Sequence, residues 1–245
     1  MIILKIGGSA LSNKRSGKSF TNMVANIVSE EIPKGEKIVI VQGAGYVGHS
    51  IASKYKIYKL DGNQREWAML RHRVEGISNA ILKVMIDYGH APIMLSAPLL
   101  FRVINGRTHL RSIDYIKAYL HNGFIPFIHS DAPLDNRNGM SILSGDDMAV
   151  MLANALKAKM LIFGTDVDGV YGPGNKIIKS IRKKDIDILN IARQREGVDV
   201  TGGLKAKLEK AAHAGKGTKV LIINLRKRGE LAKAVKGLDA GTVMY

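Results

Sequence analysis

Short apolar runs rich in Ile and Val recur along the chain, separated by longer stretches in which apolar residues return every three or four positions. Residues 2–6, 37–41, 92–95, 124–128, 160–163 and 219–223 are too short for helices and predict strands, whose near-continuous apolar character suits burial on both faces. Residues 22–32, 64–88, 113–122, 146–156 and 203–215 predict helices. The stripe Val74, Ile77, Ile81, Met85 and Tyr88 reads as one helix face packed on the sheet. Strand and helix alternate throughout, so an α/β fold is expected: a three-layer αβα sandwich about a central, mostly parallel sheet. Two stretches break the alternation. Residues 101–110 carry Asn105-Gly106, a dipeptide that tolerates the positive φ angles of a type I′ turn, and residues 134–142 carry Asn136, Asn138 and Gly139; both predict β-hairpins.

Composition narrows the class. The 245 residues are 46% hydrophobic and 24% charged, the balance of a soluble globular protein, and no Pro/Ser-rich linker divides them, so one domain with two lobes, 1–158 and 159–245, is expected. With no cysteine, a disulfide framework, a thiolate metal site and a thiol nucleophile are excluded. The apolar start is interrupted by Lys5 and followed at once by glycines, unlike a signal peptide, and no apolar run approaches the roughly 18–20 residues of a membrane helix. A cytoplasmic protein without a membrane partner is expected. The net charge of +16 raises affinity for any polyanion, nucleic acid and phosphorylated metabolites alike.

Candidate chemistry collects where strands end. Gly7-Gly8-Ser9 follows the first strand, Gly43-Ala44-Gly45-Tyr46-Val47-Gly48-His49 the second, and Asp166-Val167-Asp168-Gly169 the fifth. In open parallel sheets that rim binds ligands, and glycine-rich strand-to-helix turns offer backbone N–H groups and a helix N-terminus to phosphate. The segment Gly43–Gly48 also fits G-x-G-x-x-G, but a dinucleotide site wants an acidic residue at the end of the next strand, and Asp61 sits in the polar stretch Leu60-Asp61-Gly62-Asn63. Lys5 lies inside an apolar strand just before a glycine pair, so it is expected to reach an anion unless it snorkels out at the strand end. Lys14 reads equally as a phosphate ligand or a solvated loop charge. His49, where a helix should begin, suits a hydrogen-bond donor to a bound oxyanion. Ser144-Gly145-Asp146-Asp147 resembles a helix N-cap whose acids could alternatively orient lysines or help position a cation. The segment Asp199-Val200-Thr201-Gly202-Gly203 opens a helix whose early lysines, Lys205, Lys207 and Lys210, either form a solvated basic face or flank an anion.

Taken in order, KIGGS, GAGYVGH, SGDD, TDVDGVY and DVTGG with Lys207 four positions on resemble the amino acid kinase family over essentially the whole chain, nearest its isopentenyl phosphate kinase branch; fosfomycin kinases share much of the pattern. The resemblance implies in-line phosphoryl transfer from ATP to isopentenyl phosphate, with Mg²⁺ carried mainly on the nucleotide phosphates and no metal site of the protein's own. It implies that Lys5 steadies the migrating phosphoryl group, Lys207 neutralises the ATP phosphates and Asp146 orients both lysines. Gly7, Lys14, Asp166 and Gly202 would join Lys5 and Lys207 at ATP. Gly8, Gly43, Ala44, Gly45, Gly48, His49 and Gly145 would hold the acceptor, His49 donating to a non-bridging oxygen. The 1–158 lobe would bind the acceptor and the 159–245 lobe ATP, with the hairpins near the acceptor and a homodimer formed through the acceptor halves. Phosphoryl transfer itself asks mainly for positioning and charge neutralisation, which such a set supplies.

Departures bear on the acceptor. The usual Gly-Gly-Gly-Ser-Phe-Gly-His loop carries Ala44 and Tyr46-Val47 here, the early lysine segment reads Ser12-Asn13-Lys14, and Tyr171 to Asn175 lacks the usual acidic-Pro pair. The helix over 64–88, with Trp67, Met69 and Ile77, is expected to wall the acceptor's apolar end. An apolar floor beyond His49 would favour an isoprenoid; polar groups there would favour a small phosphonate such as fosfomycin. A basic nucleic-acid-binding protein is the reading from another class, suggested by Arg182-Lys183-Lys184 and Arg226-Lys227-Arg228, but 6% aromatic content leaves few stacking platforms.

Overall fold

Branched apolar side chains, buried on both faces, build the middle of the protein. The computed structural model describes residues 1–13, 16, 19–55, 57, 59–188 and 203–245, leaving aside the side chains at 47, 49 and 186–188. In chain order the first half contains β1 (Ile2–Ile6), α1 (Gly8–Leu11), α2 (Thr21–Glu31), β2 (Ile38–Gln42), α3 (Gly45–Lys54), α4 (Gln64–Asp87), β3 (Pro92–Met94), α5 (Ala97–Leu100), β4 (Phe101–Ile104), β5 (Arg107–Leu110) and α6 (Asp114–His121). There follow β6 (Ile125–His129), β7 (Leu134–Asp135), β8 (Gly139–Met140), α7 (Gly145–Ala155), β9 (Met160–Thr165), β10 (Val170–Tyr171), β11 (Ile177–Ile178), β12 (Ser180–Ile181), α8 (Gly203–Ala212), β13 (Lys219–Asn224), α9 (Glu230–Val235) and β14 (Thr242–Met244).

The main sheet has eight strands in the order β12-β14-β13-β9-β1-β2-β6-β3. From β13 to β3 all pairs are parallel, and β14 alone turns antiparallel against β13. Period-2 alternation sends Ile3, Val39, Val41, Leu161, Phe163, Val220 and Ile222 to one face, packed by α5, α6, α7 and α8. Ile2, Leu4, Ile6, Ile38, Ile40, Ile162 and Leu221 face the other side, covered by α1, α2, α4 and α9. Each such fully buried side chain contributes roughly 1.5–3 kcal/mol, which is why the two-sided apolar pattern specifies three layers. Among the described residues no helix is long and apolar enough to cross a membrane.

Both hairpins form. The turn between β4 and β5 has φ 52° at Asn105 and 75° at Gly106, the left-handed pair a type I′ turn needs. The two hairpins join into a four-stranded sheet through β4 and β7, and Asn105 and Asn136 exchange hydrogen bonds across it. The sheet is mostly parallel as expected; β12 and β14 were missed because their two and three residues are too short for a pattern to register. Single-turn helices α1 and α5 escaped for the same reason. Along α4, Val74, Ile81 and Met85 are buried as expected, but Tyr88 is exposed and donates from its hydroxyl to Glu30, ending the stripe early.

Candidate active site

Lys5 is the next-to-last residue of β1, in register with Val41 of β2 and Phe163 of β9, so its side chain leaves the sheet at the rim on the α7 side. Asp146 is the second residue of α7, where the positive end of the helix dipole favours a carboxylate. Lys207 comes from α8, its ammonium 5.1 Å from the centre of the Phe163 ring. These three side chains, from three distant parts of the chain, meet. The Lys5 Nζ lies 2.6 Å from Asp146 Oδ1, and Lys207 Nζ donates to Asp146 Oδ2 at 2.6 Å.

Two ammonium groups therefore share one carboxylate in a nearly solvent-free setting, leaving one positive charge uncompensated. Burial alone would push the Asp146 carboxyl up, but the charges of Lys5 and Lys207 and their hydrogen bonds outweigh it and hold it well below the usual carboxylate range. For Lys207 burial is the largest influence, the Lys5 ammonium adds to it, and Asp146 offsets them only in part, so its pKa falls to about 8. An unpaired buried ammonium is costly, and an anion entering beside it removes that cost. The arrangement suits a polyanionic ligand rather than a bare cation, because both carboxylate oxygens are already occupied by ammonium groups.

The glycine turns adjoin this triad. A Cβ at Gly8 would lie 2.6 Å from the Cα and 2.8 Å from the nitrogen of Gly45, so the turns after β1 and β2 are packed backbone to backbone. A Cβ at Gly43 would approach the Lys5 amine at 3.4 Å, and one at Gly145 would meet Ser130 Oγ at 2.9 Å and the Gly43 Cα at 3.4 Å. Gly7 donates to the Gly164 carbonyl at 2.8 Å, fixing the first turn against β9. Gly45 opens α3 at φ 67°, with Ala44 just before it, and Gly48 packs beneath Leu70 and Val74. The helix thus begins at Gly45 rather than at His49, which falls in its second turn because the loop tightens immediately. The His49 side chain, Lys14, Asp199, Thr201 and Gly202 lie outside the described residues.

Other expectations change. Ser144 stands at the N-cap of α7 without a capping hydrogen bond; its hydroxyl accepts from Lys210 Nζ at 3.2 Å, and the same amine donates to Asp147 at 2.8 Å. Lys210 is therefore bridged to α7 rather than lying on a solvated face, whereas Lys205 pairs only with Glu209 one turn along, at 3.9 Å. Asp166 is half-buried near the Arg226 guanidinium, which it stabilises in the charged form against the larger lowering by burial. Of the basic cluster 226–228, Arg226 turns inward, donating to the carbonyls of Ser9 and of Ala10, the latter at 3.0 Å, and stacking 3.9 Å from the Phe20 ring; Arg228 pairs with Glu30. In the other cluster Lys183 donates to the carbonyls of Ala214, Gly215 and Thr218, and Arg182 pairs with Asp185. These partners disperse the basic patches that suggested nucleic acid.

A cleft opens beside the second turn, lined by Ala44, Gly48, Ala52, Leu70, Val74 and Ile142 among others, mostly apolar. The helix α4 does wall it, but through Leu70, Arg71 and Val74. Trp67 lies on the same helix face one turn earlier, buried with Ile57, and Ile77, one turn later, packs into the main core, so the cleft takes only the middle of that stripe. Sequence reasoning also passed over Ser130 and Asp131, and took Arg226 only as part of a basic cluster. All three lie within two residues of a strand end, β6 or β13, and the rule that pointed to the glycine turns points to them once glycine is not required.

The fold and this site define a phosphoryl-transfer class, and the amino acid kinase family model matches residues 1–224; the chain belongs to that family. An isopentenyl phosphate kinase of Methanocaldococcus jannaschii is 33% identical over 260 residues, covering 99% of this chain and 97% of the relative. One from Methanothermobacter thermautotrophicus is 29% identical, covering 97% and 96%. A solved X-ray structure of isopentenyl phosphate kinase aligns with a TM-score of 0.79 at 25% identity, over 99% of either chain.

Proposed function

We propose that the protein phosphorylates isopentenyl phosphate with ATP, giving isopentenyl diphosphate and ADP. The observation that carries this reading is the Asp146 carboxylate bridging Lys5 and Lys207 at 2.6 Å each, with surplus positive charge beside two interlocked glycine turns. The relatives at 33% and 29% identity support the acceptor, and the mostly apolar cleft at the second turn suits a short hydrocarbon tail.

In this reading a non-bridging oxygen of the acceptor phosphate attacks the γ-phosphorus of ATP. The bond to the β–γ bridging oxygen breaks, its electron pair leaving with ADP. The acceptor is already an ionised nucleophile, so no strong base is needed. Lys5 follows the migrating group, Lys207 neutralises the nucleotide phosphates, and Asp146 keeps the two amines apart. Gly7, Lys14, Asp166 and Gly202 complete the nucleotide side; Gly8, Gly43, Ala44, Gly45, Gly48, His49 and Gly145 complete the acceptor side. Residues 1–158 would form the acceptor lobe and 159–245 the nucleotide lobe.

Among the described residues no three His, Asp or Glu side chains gather as a metal cage, and the lysine-rich donor set favours phosphate oxygens. Mg²⁺ is accordingly proposed to arrive on the nucleotide, where it would neutralise phosphate charge. A homodimer in the cytoplasm completes the proposal.

Coupled ADP release measured over isopentenyl phosphate, fosfomycin, acetylglutamate, carbamate and UMP tests the reading. Turnover of isopentenyl phosphate well above the others is expected; activity on a carboxylate, carbamate or UMP without it would overturn the assignment. Fosfomycin is the second reading, favoured specifically by the polar residues Ser130, Asp131 and Arg71 on the cleft.

A further inference from the structure

One wall of the acceptor cleft is not hydrocarbon. Asp131, two residues beyond the end of β6, lines the cleft with its side chain only 1% exposed. Its orientation is fixed: Oδ1 accepts the Ala132 N–H at 2.8 Å, and its carbonyl accepts the Leu143 N–H at 2.8 Å. The other carboxylate oxygen, Oδ2, is buried and receives no hydrogen bond. Facing it at 3.5 Å is Nη2 of Arg71, which also lines the cleft and is held from behind by Glu75, the Arg71 Nε donating to Glu75 Oε1 at 2.9 Å. Around this pair the lining is apolar apart from Ser130, with Ala44, Gly48, Leu70, Val74 and Ile142 among its residues.

A purely hydrocarbon tail brings Oδ2 no hydrogen-bond donor and leaves it with the 3.5 Å ion pair to Arg71, an incomplete set of partners for a buried carboxylate. A carboxylate tail would pair with Arg71 but be repelled by Asp131, and an ammonium tail would meet the reverse. A hydroxyl suits both at once, donating to Asp131 Oδ2 and accepting from the Arg71 guanidinium.

We propose that Asp131 and Arg71 form a hydroxyl-binding subsite, so that the cleft accepts short branched phosphate monoesters carrying a hydroxyl on the tail in addition to isopentenyl phosphate. This rests on the phosphate-acceptor reading above and names a further substrate class for the same site.

Matched acceptors decide it: 3-methylbutyl phosphate against 3-hydroxy-3-methylbutyl and 4-hydroxy-3-methylbutyl phosphate, which differ from it only by the hydroxyl, with isopentenyl phosphate assayed in parallel. At least one hydroxylated ester should be used with kcat/KM about tenfold or more above the unsubstituted one, since a site built around a hydroxyl discriminates against its absence. In Arg71→Met that ratio should fall about tenfold, a change in selectivity that a general loss of stability does not produce. If both hydroxylated esters are used no better than 3-methylbutyl phosphate while isopentenyl phosphate turns over, the subsite is refuted and the kinase reading stands. An undiminished preference in Arg71→Met refutes the assignment to this pair. If no phosphate monoester is used, the subsite and the kinase reading fall together. Should the variant not fold, the wild-type comparison is decisive by itself.

Discussion

Replacing Asp146 by Asn removes the carboxylate that bridges two buried ammonium groups while keeping size and shape. The side chains of Lys5 and Lys207 are 7% and 13% exposed, so neither can turn to bulk water without opening the site. Breaking a buried ion pair by deleting one partner typically costs about 3–5 kcal/mol when the other charge stays. Lys207 has a cheaper way out. With its pKa already at about 8, surrendering the proton at pH 7 costs on the order of 1 kcal/mol in the wild type, and less once the attraction of Asp146 is gone. Deprotonation wins, so Asp146→Asn should fold, with Lys207 as a neutral amine. The ammonium form exists below the pKa and is lost as pH rises through it. Wild-type kcat/KM for ATP should therefore decline above about pH 8, and in the variant the alkaline limb should move to lower pH. Losing one preorganised charge donor lowers the rate by about 10²–10³. The measurement is kcat/KM for ATP by coupled ADP release from about pH 5.5 to 9.5, with a thermal melt to verify folding. A variant within about threefold of wild type, its alkaline limb unmoved, would refute the charge-sharing account.

Gly8→Ala should cost about 1–3 kcal/mol in a melting experiment and most of the activity, because its Cβ would strike the backbone of Gly45 at 2.6 Å rather than a movable side chain. Asp147→Asn breaks the neighbouring bridge to Lys210, but both groups are more than a third exposed, so stability should change by less than about 1 kcal/mol and activity far less than in Asp146→Asn. His49→Ala should lower kcat/KM for the phosphate acceptor by about 10² with an unchanged melting temperature; unaltered kinetics would remove His49 from the acceptor site.

The parallel core was legible in the sequence because strands buried on both faces are apolar at every position, and β1, β2, β6, β9 and β13 were located to within a residue or two. Lys5 stood out for the same reason: a charge inside such a run has to be accounted for. What it would meet was not legible from spacing. Asp146 and Lys207 lie far away along the chain, and nothing local in SGDD separates a capping acid from a bridging one; in the fold Asp146 bridges and Ser144 accepts from a lysine instead of capping. Which turns of α4 reach the cleft was not legible, because that depends on what packs along the helix face. Trp67 looks like a pocket residue on hydropathy, yet Ile57 and the loop before α4 cover it, leaving Leu70 and Val74 to the cleft. Arg226 read as part of a surface cluster because sequence proximity to Lys227 and Arg228 concealed its reach back to α1.

The strand that carries Lys5, β1, occupies the centre of the sheet, between β2 and β9. Its second neighbour emerges only after residue 160, and the lysine of α8 later still. During translation β1 must wait with one edge unpaired, an aggregation-prone state that such distant pairing prolongs. Without α8, Lys5 and Asp146 would be left as a charge-balanced pair. The surplus positive charge arises when the ammonium of α8 joins that pair, so a segment made long after β1 supplies the charge on which the proposed reaction would draw.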